Sequence, residues 1–269
     1  MIPAFFFDSV PLKRQNAAMF DLLPSGVSPL IALLLIAVSF LTSALTAAFG
    51  LGGGVAMLGA LASTVPSAVI VAVHAIVQVG SNLGRAIVQR AHVMWPVALR
   101  FTAGSILGIA LGAFAFIKIP ERAFLAVLGV FILTMAWIPK PNIPGLDKAG
   151  VVVGGVVSSI ATMFVGATGP FINAILKAIG ADRKQMVATQ AMCMTIQHAL
   201  KAVAFGVIGF SFTDWLPLVA AMIASGFAGT VLGTKLLDRM SEATFAFLIK
   251  WMLTVIALDL LRRAAGIAV

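Results

Sequence analysis

The stretch AAFGLGGGVAML, residues 47–58, places four glycines between two strongly apolar flanks. Glycine adopts backbone conformations that other residues avoid, and it lets a ligand approach the backbone closely. Two interpretations fit such a segment on its own: a nucleotide-binding glycine loop in a soluble enzyme, or a break in a helix that crosses a membrane. The composition of the whole chain decides between them.

Composition favours the membrane. Of the 269 residues, 61% are hydrophobic and 10% are charged, whereas about 25% of the residues in a soluble domain are charged. Eight apolar runs follow one another along the chain, at 29–49, 67–83, 101–117, 123–138, 149–165, 186–208, 215–233 and 245–261. Most of them approach the ~20 residues that a helix needs to cross a bilayer. The predicted fold class is therefore an all-α polytopic integral membrane protein.

An internal repeat relates the two halves of the chain. When the sequence is shifted by 116 residues, the matching pairs are Gly50 and Gly166, Gly53 and Gly169, His74 and Gln190, Asn82 and His198, and Arg85 and Lys201. After a five-residue insertion the shift becomes 121, and the pairs are Pro96 and Pro217, Gly108 and Gly229, Gly112 and Gly233, and Phe124 and Phe245. Duplication of this kind is common in secondary transporters.

Each half has the same predicted plan: a long helix, the glycine break, a short helix and three further long helices. The short helices, at about 54–64 and 170–179, measure roughly 15 Å at 1.5 Å per residue and cannot span the bilayer alone. The predicted organisation has about eight full spans and two short helices, with an N-terminal lead-in at 1–28, a first repeat at 29–138, a proline-containing linker at 139–148 and a second repeat at 149–263.

Loop charges indicate how the repeats are oriented. The loop with Arg90 and Arg100 is basic and its counterpart at 211–214 has no Lys or Arg, while the loop at 63–67 is uncharged and its counterpart at 181–184 is basic. Because Lys and Arg accumulate in cytoplasmic loops, equivalent loops are expected to face opposite sides. The pattern predicts inverted repeats, with the Arg90 loop in the cytoplasm.

The two glycine breaks predict an anion site. Gly54 and Pro170 stand where the short helices should begin, and proline suits a first helical turn. Non-helical backbone persists in a bilayer only where it is buried in protein or lines a polar cavity. Each short helix would then direct free N–H groups and a positive dipole end into the protein. The alternative is that the glycines only allow close helix packing; their occurrence at matching repeat positions favours the site.

Polar side chains form a matching stripe on the long helix after each break. The stripe comprises His74, Gln78, Ser81, Asn82 and Arg85 in the first half, and Thr189, Gln190, Gln197, His198 and Lys201 in the second. Ionisable residues inside a span are costly and usually face a cavity. Two alternatives stay open: Arg85 and Lys201 could extend to the lipid headgroups, and the amides and histidines could join helices through hydrogen bonds.

The charges suit an anion. All nine carboxylates except Asp259 fall in loops or termini, whereas a cation carrier would place Asp or Glu inside the membrane. No cofactor is expected, although His74 and His198 could carry a coupling proton and sodium coupling through loop carbonyls stays open. The chain has no Walker motif, no G-x-S-x-G motif and no metal-spaced His/carboxylate group. The single Cys193 also excludes disulfides and thiolate metal clusters. Without a nucleophile motif or a metal cluster, we predict that the protein is not an enzyme, and we expect no nucleic-acid partner.

Small residues at every fourth position predict close helix–helix contacts without a ligand role. These residues are Gly104, Gly108 and Gly112 in the first half, and Ser225, Gly229 and Gly233 in the second.

The chain resembles the TauE/SafE permeases, the sulfite exporter family, from about Ser28 onwards. The segments that carry the resemblance are GLGGGVAMLGAL, GATGPFINAILKAIG and TQAMCMTIQHALKAVAFG. It implies a multi-pass protein of the bacterial cytoplasmic membrane that transports sulfite, sulfonates, sulfoacetate-like compounds or related organic anions. Thr168 stands where the second break is expected to have a glycine, and its hydroxyl would add a donor or narrow the site. An anion channel, or a carrier of a non-sulfur organic anion, is the alternative.

The predicted function is secondary transport of a small sulfur-containing anion bound near the bilayer midplane. Backbone amides would hold the anion, polar side chains would add donors, and Arg85 and Lys201 would attract it or gate opposite sides. Its partners would be the anion and membrane lipid; monomer and homodimer both stay open. The predicted substrate-binding residues are Gly52, Gly53, Gly54, His74, Gln78, Asn82, Arg85, Thr168, Gly169, Pro170, Phe171, Asn173, Gln190, Gln197, His198 and Lys201.

Overall fold

The structure, a computed structural model, describes residues 23–49, 52–117, 119–137, 145–166, 168–237 and 242–267. Every regular element within these ranges is a helix. The first half contains α1 (Pro29–Phe49), α2 (Gly53–Thr64), α3 (Ser67–Val88), α4 (Trp95–Phe116) and α5 (Glu121–Trp137). The second half contains α6 (Lys148–Val165), α7 (Gly169–Ala178), α8 (Arg183–Val207), α9 (Leu216–Leu237) and α10 (Glu242–Ala264). Short 3-10 turns at Arg90–His92 and Thr213–Trp215 precede α4 and α9.

The predicted all-helical fold is confirmed, including the two short helices. With 12 and 10 residues, α2 and α7 begin and end within one residue of their predicted bounds. Gly50, most of the N-terminal lead-in, and Pro139, Pro141 and Pro144 of the linker lie outside the described residues, as do the side-chain surroundings of Gly233 and Phe245.

Five helical segments of the described chain are long and apolar enough to cross a membrane: Pro29–Ala47, Ser67–Val88, Trp95–Phe116, Lys148–Val165 and Thr213–Leu232. The helix α5 has only 17 residues, and α8 and α10 carry more polar and charged side chains. Eight full spans therefore stay a prediction.

The outer surface of the bundle is apolar. Large exposed side chains occur on helices of both halves, among them Leu30, Leu33, Leu107, Phe114 and Val207. The largest buried apolar cluster lies inside, around α2 and α3, with Leu58, Leu61 and Ile70 fully buried. An apolar exterior this extensive is expected of a surface that contacts lipid, and it supports a membrane location.

The long helices pair across the two halves. The helix α1 packs against α9 and α4 packs against α6, while α3 packs against α8 and α5 against α10. In the repeat, α1 corresponds to α6 and α4 corresponds to α9. The α1–α9 pair and the α4–α6 pair are therefore equivalent contacts between the two halves. The halves are therefore interleaved around one centre.

Glycines set these cross-half contacts. A Cβ atom on Gly108 would overlap the carbonyl oxygen of Val156, and one on Gly229 would overlap the carbonyl oxygen of Phe40. Val156 follows Phe40 by 116 residues and Gly229 follows Gly108 by 121, the same shifts that align the two halves in sequence. The predicted packing role of these two glycines is confirmed.

The helices α3 and α8 cross in opposite directions. The rings of His74 and His198 lie 5.6 Å apart between centroids, and Asn82 lines the same cavity as Gln190. Residues with higher numbers on α3 therefore lie beside residues with lower numbers on α8, so the two helices run antiparallel. The crossing lies near Gln78, which is halfway between His74 and Asn82.

We predict that Gly108→Val and Gly229→Val each lower the free energy of unfolding by about 1–3 kcal/mol or more, because overpacking forces the paired backbones apart. Thermal unfolding of the detergent-purified variants measures this. Ala110→Val, at an exposed position of α4, is the control and is expected to keep the wild-type melting temperature. Equal melting temperatures for all three variants would contradict the packing role.

Candidate functional site

The beginnings of the two short helices meet at one partly open cavity. Predicted residues that line it are Gly52, Gly54, Gln78, Asn82, Arg85, Gly169, Pro170 and Gln190. Three further residues that sequence reasoning missed, Thr46, Val55 and Met194, also line it. Two breaks that are 116 residues apart in sequence are therefore brought together in space.

Each glycine at the start of α2 has its own steric reason. Gly52 has a φ of 95°, a conformation that favours glycine. Gly53 faces away from the cavity, where a Cβ atom would overlap α1 at Thr42 and Thr46. Gly54 faces the cavity, and its Cβ atom would come within 2.5 Å of Gln78 Nε2. Gly53 thus allows close packing, while Gly54 keeps the cavity open.

The start of α7 is built differently. Thr168 occupies the position of Gly52, but its φ is −95° and its hydroxyl donates to Gln197 Oε1 at 2.7 Å. Pro170 has no N–H group, and the amide of Phe171 donates to the Thr168 carbonyl at 3.0 Å. The expected anion contacts from the Thr168 hydroxyl and the Phe171 amide are therefore not available in this structure.

The helix α2 has more free amides than α7. The first N–H groups of a helix have no acceptor within it, and in the described chain neither short helix has a side-chain cap at its start. In α2 this leaves the amides of Gly53, Gly54 and Val55, whereas Gly169 is the corresponding donor of α7. The positive end of each helix dipole adds to their attraction for an anion.

Equivalent side chains hold the two short helices in place. His74 Nε2 donates to the Gly54 carbonyl oxygen at 2.9 Å, and Gln190 Nε2 donates to the Gly169 carbonyl oxygen at 3.3 Å. Because a carbonyl oxygen only accepts, Nε2 of His74 carries the proton in this bond. These two predicted binding residues position the helix starts, and Gln190 also lines the cavity.

A buried cation lines one wall of the cavity. The side chain of Arg85 is largely buried, with the residue 8% exposed, and its Nη2 donates to Asn82 Oδ1 at 2.6 Å. Asn82 Nδ2 in turn donates to the Gln78 carbonyl at 2.7 Å. In the parts of the chain that are described, Nη1 of Arg85 has no hydrogen-bond partner and the one ion pair is Arg262–Asp259. Extension of Arg85 to the lipid headgroups is therefore excluded in this structure.

Gln197 is part of the scaffold. It is fully buried, and its Nε2 donates to Ser158 Oγ at 3.1 Å and Ser159 Oγ at 2.8 Å. Its Oε1 accepts the Thr168 hydroxyl, so the amide joins α6, α8 and the start of α7. The interpretation that some polar residues join helices by hydrogen bonds applies to this residue.

Other predicted residues lie outside the cavity lining. His74, His198 and Lys201 are fully buried, so Lys201 does not extend to the headgroups either. Its Nζ donates to the Thr162 carbonyl at 3.4 Å. Phe171 and Asn173 are half-buried on α7 and are not among the lining residues.

Two of the three missed residues could have been found from the repeat. Met194 follows Gln78 by 116 residues, and Thr46 precedes Thr162 by the same interval. Neither residue belongs to the polar stripes on α3 and α8. Methionine is not polar, and Thr46 lies on α1.

The comparisons with known proteins identify a family. The family model described as "Sulfite exporter TauE/SafE" matches residues 35–260, which is most of the chain and includes both glycine breaks. Neither the curated proteins nor the solved structures contain a match to the chain.

We predict that Gln197→Met lowers the melting temperature of the purified protein, because three buried hydroxyls lose their shared partner. Each unsatisfied buried group costs about 1–3 kcal/mol. Thermal unfolding in detergent measures the effect, and Val203→Met, at an exposed position of the same helix, is the matched control. A melting temperature as high as that of the control would contradict the scaffold role.

Proposed function

Because the chain belongs to the sulfite exporter TauE/SafE family, a family of membrane transporters for sulfur anions such as sulfite, we propose that its central cavity binds one such anion during transport. The substrates proposed are sulfite, sulfonates and sulfoacetate-like compounds. Binding takes place where α2 and α7 begin, at the crossing of α3 and α8.

The observation that carries the proposal is Arg85. A buried guanidinium group without a counterion is costly; Nη1 of Arg85 is buried without a hydrogen-bond partner, and the residue lines the cavity. No carboxylate is among the described residues of that lining. An oxyanion bound there would supply the missing charge and accept a charge-assisted hydrogen bond.

The remaining donors suit an anion with several oxygens. The amides at the start of α2 and the helix dipole attract one side of the anion, and the side-chain amides of Gln78 and Gln190 lie on α3 and α8. Val55 and Met194 add apolar surface to the same lining. A sulfonate, which joins a charged head to a small organic group, matches both kinds of surface.

We further propose that the repeats are inverted and that transport proceeds by alternating access. The helices α3 and α8 run antiparallel, and so do α5 and α10, since Gly129 lies near Leu261 while Trp137 bonds Thr254. A two-fold axis that exchanges two antiparallel helices is perpendicular to them. If these helices cross the membrane, the axis lies in its plane, as inverted repeats require.

Uptake of radiolabelled sulfite, sulfoacetate and taurine into proteoliposomes tests the function. At least one of these compounds is expected to show flux that saturates with concentration, as a carrier requires. Absence of flux for all three would overturn the sulfur-anion assignment. Flux that rises without saturation, together with single-channel currents, would indicate an anion channel.

We predict that Arg85→Gln reduces this flux by about tenfold or more, since a hydrogen bond to a charged group contributes about 1.5–3 kcal/mol. Arg85→Lys keeps the charge and is expected to restore part of the flux. Arg90→Gln removes an equal charge from an exposed position only five residues away and is the control. Equal loss of flux in the Arg85→Gln and Arg90→Gln variants would argue for general charge attraction instead of a binding role.

A further inference from the structure

Three lining residues of the cavity have repeat partners that lie outside it. Thr46, Asn82 and Arg85 line the cavity, and a shift of 116 residues leads from them to Thr162, His198 and Lys201. In a protein built from two equivalent halves, equivalent residues are expected in equivalent surroundings. Here one set lines an open cavity and the other set is fully buried.

The buried set contains several polar atoms without partners. Across the described residues, Thr162 Oγ1 and both ring nitrogens of His198 have no hydrogen-bond partner. Lys201 Nζ has a single long contact, 3.4 Å, with the Thr162 carbonyl. Buried polar groups are nearly always hydrogen-bonded, and an unpaired one costs free energy. A permanently dry core gives no reason for two such residues beside a weakly bonded lysine, whereas a core that becomes hydrated during transport does.

The two sets lie at opposite ends of the α3–α8 crossing. Arg85 follows Gln78 by seven residues and Lys201 follows Met194 by seven. At 1.5 Å per residue each cation stands about 10 Å from the crossing. Because α3 and α8 run antiparallel, these displacements point in opposite directions along the helices.

Aromatic rings close the Lys201 end. Phe205 is fully buried one turn beyond Lys201, and its ring centroid lies 5.1 Å from that of Phe116. Phe116 also contacts Phe124 at 5.7 Å and Phe164 at 5.9 Å. At the Arg85 end, the position equivalent to Phe205 is the half-buried Gln89. One end is thus sealed by apolar rings and the other has a polar residue.

We propose that Thr162, His198 and Lys201 form a second anion vestibule, closed in this structure, which opens to the opposite side of the membrane when the four phenylalanines separate. Its ligand is the same class of small oxyanion, and Lys201 serves as its cation as Arg85 does in the open cavity. The inference rests on the proposed transport function and adds to it the residues of the second access route.

Sided cysteine labelling tests the vestibule. The chain has one cysteine, the buried Cys193, so Cys193→Ser provides an unreactive background. Into it are introduced Thr46→Cys, Thr162→Cys or, as a buried apolar control on α8, Ala191→Cys. Oriented proteoliposomes are treated from each side with a membrane-impermeant anionic methanethiosulfonate. The Thr46→Cys and Thr162→Cys variants are expected to react from opposite sides, and the Ala191→Cys variant from neither.

Two further comparisons test the seal and the ligand class. Adding Phe205→Ala is expected to speed labelling of the Thr162→Cys variant by about tenfold, since the ring that contacts Phe116 is removed from the seal. The anionic reagent is expected to react about tenfold faster than a cationic one, once each rate is divided by that of the same reagent with free thiol.

The outcomes are distinct. Reaction of the Thr162→Cys variant from the same side as the Thr46→Cys variant, or from neither side even with Phe205→Ala, overturns the proposal, and faster reaction with the cationic reagent overturns the ligand class. Lys201→Cys faces the same vestibule and replaces Thr162→Cys if that variant does not fold.

Labelling requires no flux of sulfur anions. If labelling is opposite-sided but no sulfur anion is transported, the vestibule is supported and the proposed substrate is wrong. If a sulfur anion is transported but labelling is same-sided, the proposed substrate is supported and the vestibule is wrong.

Discussion

A backbone N–H group without a hydrogen-bond partner is costly inside a bilayer, and this constraint decides where the chain can be broken. Among the described residues, the breaks that precede Gly53 and Gly169 meet at a single cavity inside the bundle. Side chains from α3 and α8 hydrogen-bond to carbonyl groups in the first turn of each short helix. The pairing of α1 with α9 and of α4 with α6 joins the two halves that carry the breaks. The unsatisfied backbone is therefore directed towards a polar cavity and away from lipid.

The two halves have the same plan and different chemistry. At the first break a glycine with positive φ precedes three free amides, while at the second break Thr168 is tied to Gln197 and a proline removes one donor. The cation of the first half lines the cavity, and the cation of the second half is buried beside two histidines. The two halves therefore place equivalent residues in different surroundings, one set at the cavity and the other inside the protein.

The sequence was sufficient for the all-helical architecture, including its two short helices, but only partly for the site. Helix bounds, the repeat shift and the packing glycines follow from hydrophobic runs and from small residues at regular spacing, and both are local properties of the chain. The roles of His74 and Gln197 could not be obtained in this way. A polar residue on a stripe has the same pattern whether it faces a ligand, a carbonyl group or a serine on another helix. Only the contacts with Gly54 in one case, and with Ser158, Ser159 and Thr168 in the other, distinguish these possibilities.

The burial of Arg85 and Lys201 also shows whether their side chains reach the lipid headgroups, which their distance from the helix ends did not decide. Arg85 and Lys201 stand close enough to helix ends for their side chains to reach the headgroups, yet both are buried. Their separation matters for transport, since a bound ion must be held firmly enough to enter and weakly enough to leave. With both cations in one cavity, a small dianion would be held by two full charges as well as two helix dipoles. With Arg85 alone in the cavity, one full charge acts beside the fixed dipoles and neutral amides, so the attraction for such an anion is weaker than with both cations.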